Sequence, residues 1–405
     1  MTIQINKLTL LWLLALAVVI VSCKQEEPTP PEPEVIVVHD TISVTDTIVV
    51  PDTVVVPDTI VVPDTVPEEH RVLNCVLPAY LKAGDTVAII SPSYITPMTT
   101  MQNAANVLRG WGLVPLIGPN ADKSYAGKYA GTPEQRASDI RWAVNHPNVK
   151  AIICSRGGYG TIQLINDLSI EEITASPKWI VGYSDISTLL GLWNCAGVMG
   201  MHGTMATMFA SGGTSMTITL MRDLLFGKVP RYVLPVHGQN IQGHAEGMLV
   251  GGNVCTFAPN VGTQADATRY DSLILFVEEV GESMHNVDRQ MRILQLNGVL
   301  DRCKGVILGD FAGCGSEFSY SSCEAMLHEM LAPYHIPLLC GFPAGHGSVN
   351  LPLVMGAHVT MDVRGTGSTV QFDIEGEQQE VRTANIAASP ELSQEALMRL
   401  AGKIP

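Results

Sequence analysis

Hydrophobic and polar positions change their pattern twice along this chain. An uncharged apolar run, Leu8 to Val21, follows Lys7 and ends at Ser22-Cys23. A β-branched pattern then repeats every six residues: Asp46-Thr47-Ile48-Val49-Val50-Pro51, Asp52 to Pro57, Asp58 to Pro63, and a truncated Asp64-Thr65-Val66-Pro67. From Leu77-Pro78 onward, short apolar runs alternate with helix-period segments. Strands are predicted over Asp85–Ile90, Leu113–Ile117, Val149–Cys154 and Lys178–Gly182. Helices are predicted over Thr99–Arg109, Pro133–Asn145, Thr161–Leu168 and Ile186–Cys195. Such alternation implies a parallel sheet with helices on both faces, and sites form where loops leave the carboxyl ends of its strands.

Beyond Gly247 the pattern changes. Apolar strands are predicted at Leu273–Val277, Gly305–Leu308 and Val359–Val363, separated by longer mixed segments. This is a second, mixed α/β domain. The Gly-rich and then polar stretch from Ser211 to Gln242 is the expected junction.

Lys7, the apolar run and the small-residue site at Ser22-Cys23 have the layout of a secretory signal, and the run is short for a membrane span. Ile20-Val21-Ser22-Cys23 resembles the lipobox of bacterial lipoproteins, in which the cysteine becomes the lipidated first residue. The acidic, proline-rich stretch after Cys23 and the proline in every repeat argue against a central strand. Extended at about 3.1 Å per residue, Lys24 to His70 would form a spacer of up to roughly 150 Å. The expected location is the cell envelope, on the outer membrane, facing either the periplasm or the exterior.

Composition narrows the classes. Of 405 residues, 24 are Lys or Arg against 39 Asp or Glu, for a net charge of −15, which excludes the basic footprint of a nucleic-acid partner. The nine cysteines lack zinc-ligand spacing, and His244, His285 and His358 show no H-x-x-x-H pattern, so no metal or other cofactor is expected. An exported setting permits disulfides, with Cys303, Cys314 and Cys323 as candidates.

Two loops follow predicted strands and should share one sheet edge: Ser155-Arg156-Gly157-Gly158-Tyr159-Gly160 and Gly182-Tyr183-Ser184-Asp185. A Gly-x-Ser at a strand-to-helix turn projects a hydroxyl and offers the next backbone N–H to an oxyanion. Here Ile186 stands where G-x-S-x-G has its last glycine, and the turn taken alone is more simply a helix N-cap. The Gly157-Gly158 pair allows close backbone approach to a ligand or simply a tight turn. A serine nucleophile needs a base and an orienting carboxylate. His346, in the glycine-rich loop Gly341–Gly347, and Glu278-Glu279, after an apolar strand, offer both. His202 either lines the site or ends a strand.

With these motifs in order, the chain from Leu77 to Val363 resembles the LD-carboxypeptidase family, peptidase family S66. The matching segments are Gly84-Asp85 through Ser93, Ser155–Gly160, Gly182–Asp185, His202-Gly203, Gly251-Gly252-Asn253, Phe276–Glu279, Asp288-Arg289 and Gly341–His346. The resemblance implies a Ser184–His346–Glu278 triad, with Glu279 the lesser choice of acid, and oxyanion donors from the backbones of Asp185 and Gly158. It also implies a Rossmann-like N-terminal domain, a smaller C-terminal domain and commonly a homodimer. The boundaries expected are 1–22 for a lipoprotein signal peptide, 23–76 for the linker, 77–210 for the nucleophile domain and 243–385 for the domain carrying the acid and base.

By resemblance the substrate is a muropeptide, cleaved at the bond to a terminal D-amino acid. Arg156 and Arg289 are candidates for holding its free carboxylate. The alternatives are a microcin-immunity-type peptidase acting on peptide-nucleotide antibiotics, or a lipid-anchored binding protein without chemistry. Two features depart from the family pattern: the export signal with its spacer, and Thr204 after His202-Gly203 where a proline is frequent.

Overall fold

Five apolar runs form the first sheet: β1 (Thr86–Ile90), β2 (Val114–Ile117), β3 (Val149–Cys154), β4 (Trp179–Gly182) and β5 (Gly200–His202). They are parallel, in the order β5-β4-β3-β1-β2. Burial on both faces explains why β1, β3 and β4 read as nearly unbroken apolar segments. From β1 the chain steps outward to β2 and then crosses to the opposite side for β3. The strand order therefore reverses between β1 and β3, where a crevice opens at the carboxyl ends.

The computed structural model describes residues 74–385, apart from 212–214 and 316–317. The signal segment, Cys23 and the six-residue repeats lie outside the described residues. All described residues belong to one unit, Pro67–Pro405.

The first layer carries α1 (Met98–Gly110), α2 (Pro133–Asn145), α3 (Ile170–Ala175) and α4 (Ser187–Cys195). Thr132 starts α2 with a capping box: its hydroxyl accepts from Gln135 N, and the Gln135 side chain returns to Thr132 N, with Pro133 in the first turn. Every residue of α4 is buried. The helix expected over Thr161–Leu168 is instead two 3₁₀ turns, Thr161–Gln163 and Ile165–Asp167. Local demands override its apolar spacing. Gly160 enters at φ 130°, Thr161 is drawn toward Asp185, and the Gln264 side chain takes the carbonyls of Ile165 and Leu168.

The stretch read as a junction contains regular structure, namely α5 (Met216–Leu225) and β6 (Lys228–Leu234), and β6 belongs to the second sheet. That sheet continues with β7 (Gly243–Asn253), β8 (Leu273–Val280), β9 (Cys303–Ala312) and β10 (Leu338–Leu339) as a parallel run. β11 (Leu353–Met355) departs to pair antiparallel with β5, so late sequence completes the first sheet. β12 (His358–Arg364), β13 (Gly367–Phe372) and β14 (Glu377–Arg382) close the second, in the order β10-β9-β8-β7-β12-β13-β6-β14. Its helices include α6 (Val254–Phe257), α7 (Met284–Leu296), α8 (Val299–Arg302) and α9 (Cys323–Leu331).

All eight residues of β8 are buried, and their alternation divides them between two cores. Ile274 and Phe276 join the core that includes the first sheet, while Leu273, Leu275 and Val277 join that of α7 and α9. The next two positions, Glu278 and Glu279, inherit opposite directions. No disulfide joins the described cysteines to one another; Cys314 lies beside Cys323, whose thiol holds its pKa up, whereas Cys303 donates to Val299 O at 3.3 Å.

Candidate active site

The turn after β4 is sharp. Ser184 has φ 63°, a left-handed conformation that costs a non-glycine residue on the order of 1–3 kcal/mol unless its surroundings enforce it. A Cβ on Gly182 would stand 2.8 Å from the Ile186 side chain, so the missing side chain is what lets Ile186 fold back under the turn. Polar contacts hold the turn. Asp185, 1% exposed, accepts from Ser93 Oγ at 2.5 Å and Thr161 N at 3.0 Å, and its carbonyl accepts from Thr161 Oγ1 at 2.6 Å. Burial raises the Asp185 pKa, and these hydrogen bonds act against that shift.

The loops after β1 and β3 enclose the hydroxyl. A methyl group on Gly157 would lie 2.9 Å from Ser184 Cβ, 3.0 Å from its Oγ and 3.4 Å from Asp185 N. Hydroxyl, following amide and Gly157 backbone therefore bound one small space. Gly158, at φ 122°, lies against Tyr94, whose ring a side chain there would meet at 2.4 Å. Arg136, 1% exposed on α2, ties these loops together by donating to Pro92 O at 2.8 Å and Gly160 O at 2.9 Å.

From the second sheet, Glu278 Oε2 meets His346 Nδ1 at 2.7 Å, with both side chains buried. Glycines make that approach possible: a Cβ on Gly345 would sit 2.7 Å from Glu278 Oε2, and one on Gly309 would sit 3.0 Å from Glu278 Cβ. The His346 ring stacks at a tilt on Tyr183, centroids 4.9 Å apart, which brings it beside the Ser184 turn. Its Nε2 is buried and has no hydrogen-bond partner among the described residues. A bond from Nδ1 to a carboxylate fixes the tautomer that leaves Nε2 free to accept a proton. Asp310, at the end of β9, accepts from Gly347 N at 3.1 Å; burial pushes it up to about 7, with Glu278 adding to the shift.

The two adjacent glutamates part company. Glu279 points away from His346 and accepts from Asn253 Nδ2 at 2.9 Å, Cys255 N at 3.0 Å and Val280 N at 2.8 Å. With Cys255 and Glu282 it also forms a group of metal-type donors lying within 4.8 Å of one another. The other expected residues separate in the same way. His202 ends β5 fully buried, ringed by Tyr183 at 5.8 Å and Phe276 at 5.0 Å, and burial with the neighbouring His346 holds it down to about 3. Arg156 lies over the Tyr94 ring at 5.9 Å, its buried Nε without a hydrogen-bond partner among the described residues, and burial lowers its pKa. Arg289 is exposed on α7, bonded to Asn286 at 2.6 Å.

Sequence reasoning missed Tyr94, Thr161, Arg136 and Asp310. Arg136 carried a usable signal, a charge among the buried positions of α2 beside Ala137, Ile140 and Ala143. The others are ordinary loop or strand-end residues whose role depends on tertiary proximity.

Residues 87–203 match the LD-carboxypeptidase N-terminal domain and 246–361 the C-terminal domain. The chain is 32% identical to the murein tetrapeptide carboxypeptidase of Pseudomonas aeruginosa, over 65% of this chain and 89% of that protein. It is 26% identical to the microcin C7 self-immunity protein of Escherichia coli, over 70% and 93% respectively. The crystal structure of muramoyltetrapeptide carboxypeptidase from Oxalobacter formigenes superposes with a TM-score of 0.64 at 25% identity, covering 72% of this chain and 99% of that one. Two matched domains, in order and spanning more than half the sequence, make this chain a member of the LD-carboxypeptidase family, peptidase family S66.

Proposed function

We propose that this carboxypeptidase is a serine-type LD-carboxypeptidase acting on murein tetrapeptides, with Ser184, His346 and Glu278 as its triad. The observation that carries the reading is the buried 2.7 Å His346–Glu278 bond beside the left-handed Ser184. His346 Nε2 takes the hydroxyl proton as Ser184 Oγ bonds to the peptide carbonyl carbon. Glu278 stabilises the imidazolium, and backbone N–H groups of Asp185 and Gly158 receive the oxyanion. His346 then protonates the departing amine of the terminal D-amino acid as the C–N bond breaks. Water adds to the acyl-enzyme, giving its proton to His346, and the C–Oγ bond breaks with return of that proton to Ser184.

Exopeptidase action requires a partner for the free α-carboxylate. Arg156, partly buried beside Gly157-Gly158, supplies a planar guanidinium for it. The N-terminal pattern further supports export and anchoring through lipidated Cys23, which would place the enzyme at the cell wall; loss of fatty-acid labelling in Cys23→Ser tests this. A fluorophosphonate followed by peptide mapping tests the nucleophile. Adduct on Ser184 is expected, and adduct elsewhere, or none, overturns the serine mechanism.

A further inference from the structure

We propose that Glu279 is a positioning residue for the nucleophile, acting through the turn Asn253–Thr256, so that neighbouring carboxylates on β8 serve the two halves of the triad. The inference rests on Ser184 being the nucleophile. Glu279 is 1% exposed, and both its oxygens are engaged, Oε1 by Asn253 Nδ2 and Val280 N, Oε2 by Cys255 N. A buried carboxylate that accepts three N–H bonds fixes the groups that donate them. The fixed turn grips the nucleophile segment at three points. Thr256 Oγ1 shares its proton between Ser184 O at 3.0 Å and Asn253 O at 3.1 Å, Asn253 N donates to Ser187 Oγ at 3.0 Å, and Thr256 O accepts from Thr188 Oγ1 at 3.1 Å.

The grip falls where strain must be contained. Ser184 holds φ 63°, and its carbonyl is the group that Thr256 holds. Glycine at 252 is required for the approach, since a Cβ there would meet Ser187 Oγ at 2.2 Å. Glu278 faces the other way, onto His346. A shift along β8 would therefore move base and nucleophile supports together, which keeps the triad in register between the two sheets.

The test is the rate of phosphonate inactivation, resolved into kinact and KI across pH, for the full chain with Thr256→Val, Glu279→Gln, both together, and Ser184→Ala. Thr256→Val removes one neutral hydrogen bond and should lower kinact roughly 2- to 10-fold; Glu279→Gln disturbs charge-assisted bonds and should lower it roughly 10- to 100-fold. KI should stay within about twofold, and in Thr256→Val, which leaves every charge in place, the pH midpoint should not move. The double variant should be no slower than Glu279→Gln, since both changes act on one chain of bonds. Unchanged kinact in Thr256→Val, losses that multiply in the double variant, or a displaced pH midpoint in Thr256→Val would overturn the proposal. Undiminished labelling of Ser184→Ala would instead remove the nucleophile reading beneath it.

Discussion

His202 makes the acid stability of the fold predictable. Its imidazole is fully buried between Tyr183 and Phe276, and burial with the nearby His346 holds its pKa down to about 3 against an ordinary 6.5. The unfolded chain therefore binds a proton below pH 6.5 that the folded chain refuses until about pH 3. Stability from this residue is complete above pH 6.5 and is lost as pH falls through that window. At pH 5 the difference is about 1.5 pH units below the free value, or on the order of 2 kcal/mol at 1.36 kcal/mol per unit. His202→Leu removes the titration at similar volume. Asp185 and Asp310, whose raised pKa values act in the opposite direction, remain in both proteins and largely cancel. Urea unfolding at pH 7 and pH 5 should show the wild type losing about 2 kcal/mol more than His202→Leu. An equal loss in both would refute a neutral, desolvated His202.

Three further outcomes follow from the site geometry. Gly157→Ala has a backbone that any L-residue tolerates, yet its methyl would press on Ser184 at 2.9–3.0 Å; circular dichroism should be unchanged while kcat/KM falls about 100-fold or more. Arg136→Met strips buried carbonyls at Pro92, Gly131 and Gly160 of their donor and should cost about 3 kcal/mol in urea unfolding. Arg156→Gln should raise KM at least about tenfold for peptides with a free terminal carboxylate. It should leave the turnover of the same peptides amidated unchanged, and an equal effect on both would exclude Arg156 as the carboxylate partner.

Much of the first layer was legible because parallel strands buried on both faces leave unbroken apolar runs, as in β1, β3 and β4, and because Thr132-Pro133 announces the start of α2. The motif loops were legible for a related reason: glycines at 157, 158, 182 and 345 occupy places where any side chain would strike Ser184, Tyr94, Ile186 or Glu278. What escaped depends on partners distant in sequence. The apolar spacing of 161–168 reads as a helix, yet Gln264 and Asp185 claim its polar groups and break it into 3₁₀ turns. β11 joins the first sheet from residue 353, beyond the reach of local pattern. The opposite directions of Glu278 and Glu279 could be framed from strand alternation, but only the position of His346 pairs one of them with its imidazole.

The central claim is tested most directly by incubating the protein with a disaccharide tetrapeptide and following product mass, with Ser184→Ala in parallel. Loss of the terminal D-alanine by the wild type and none by Ser184→Ala is the predicted result. Release that persists in Ser184→Ala, or an intact tetrapeptide after exposure to phosphonate-reactive wild type, would contradict it.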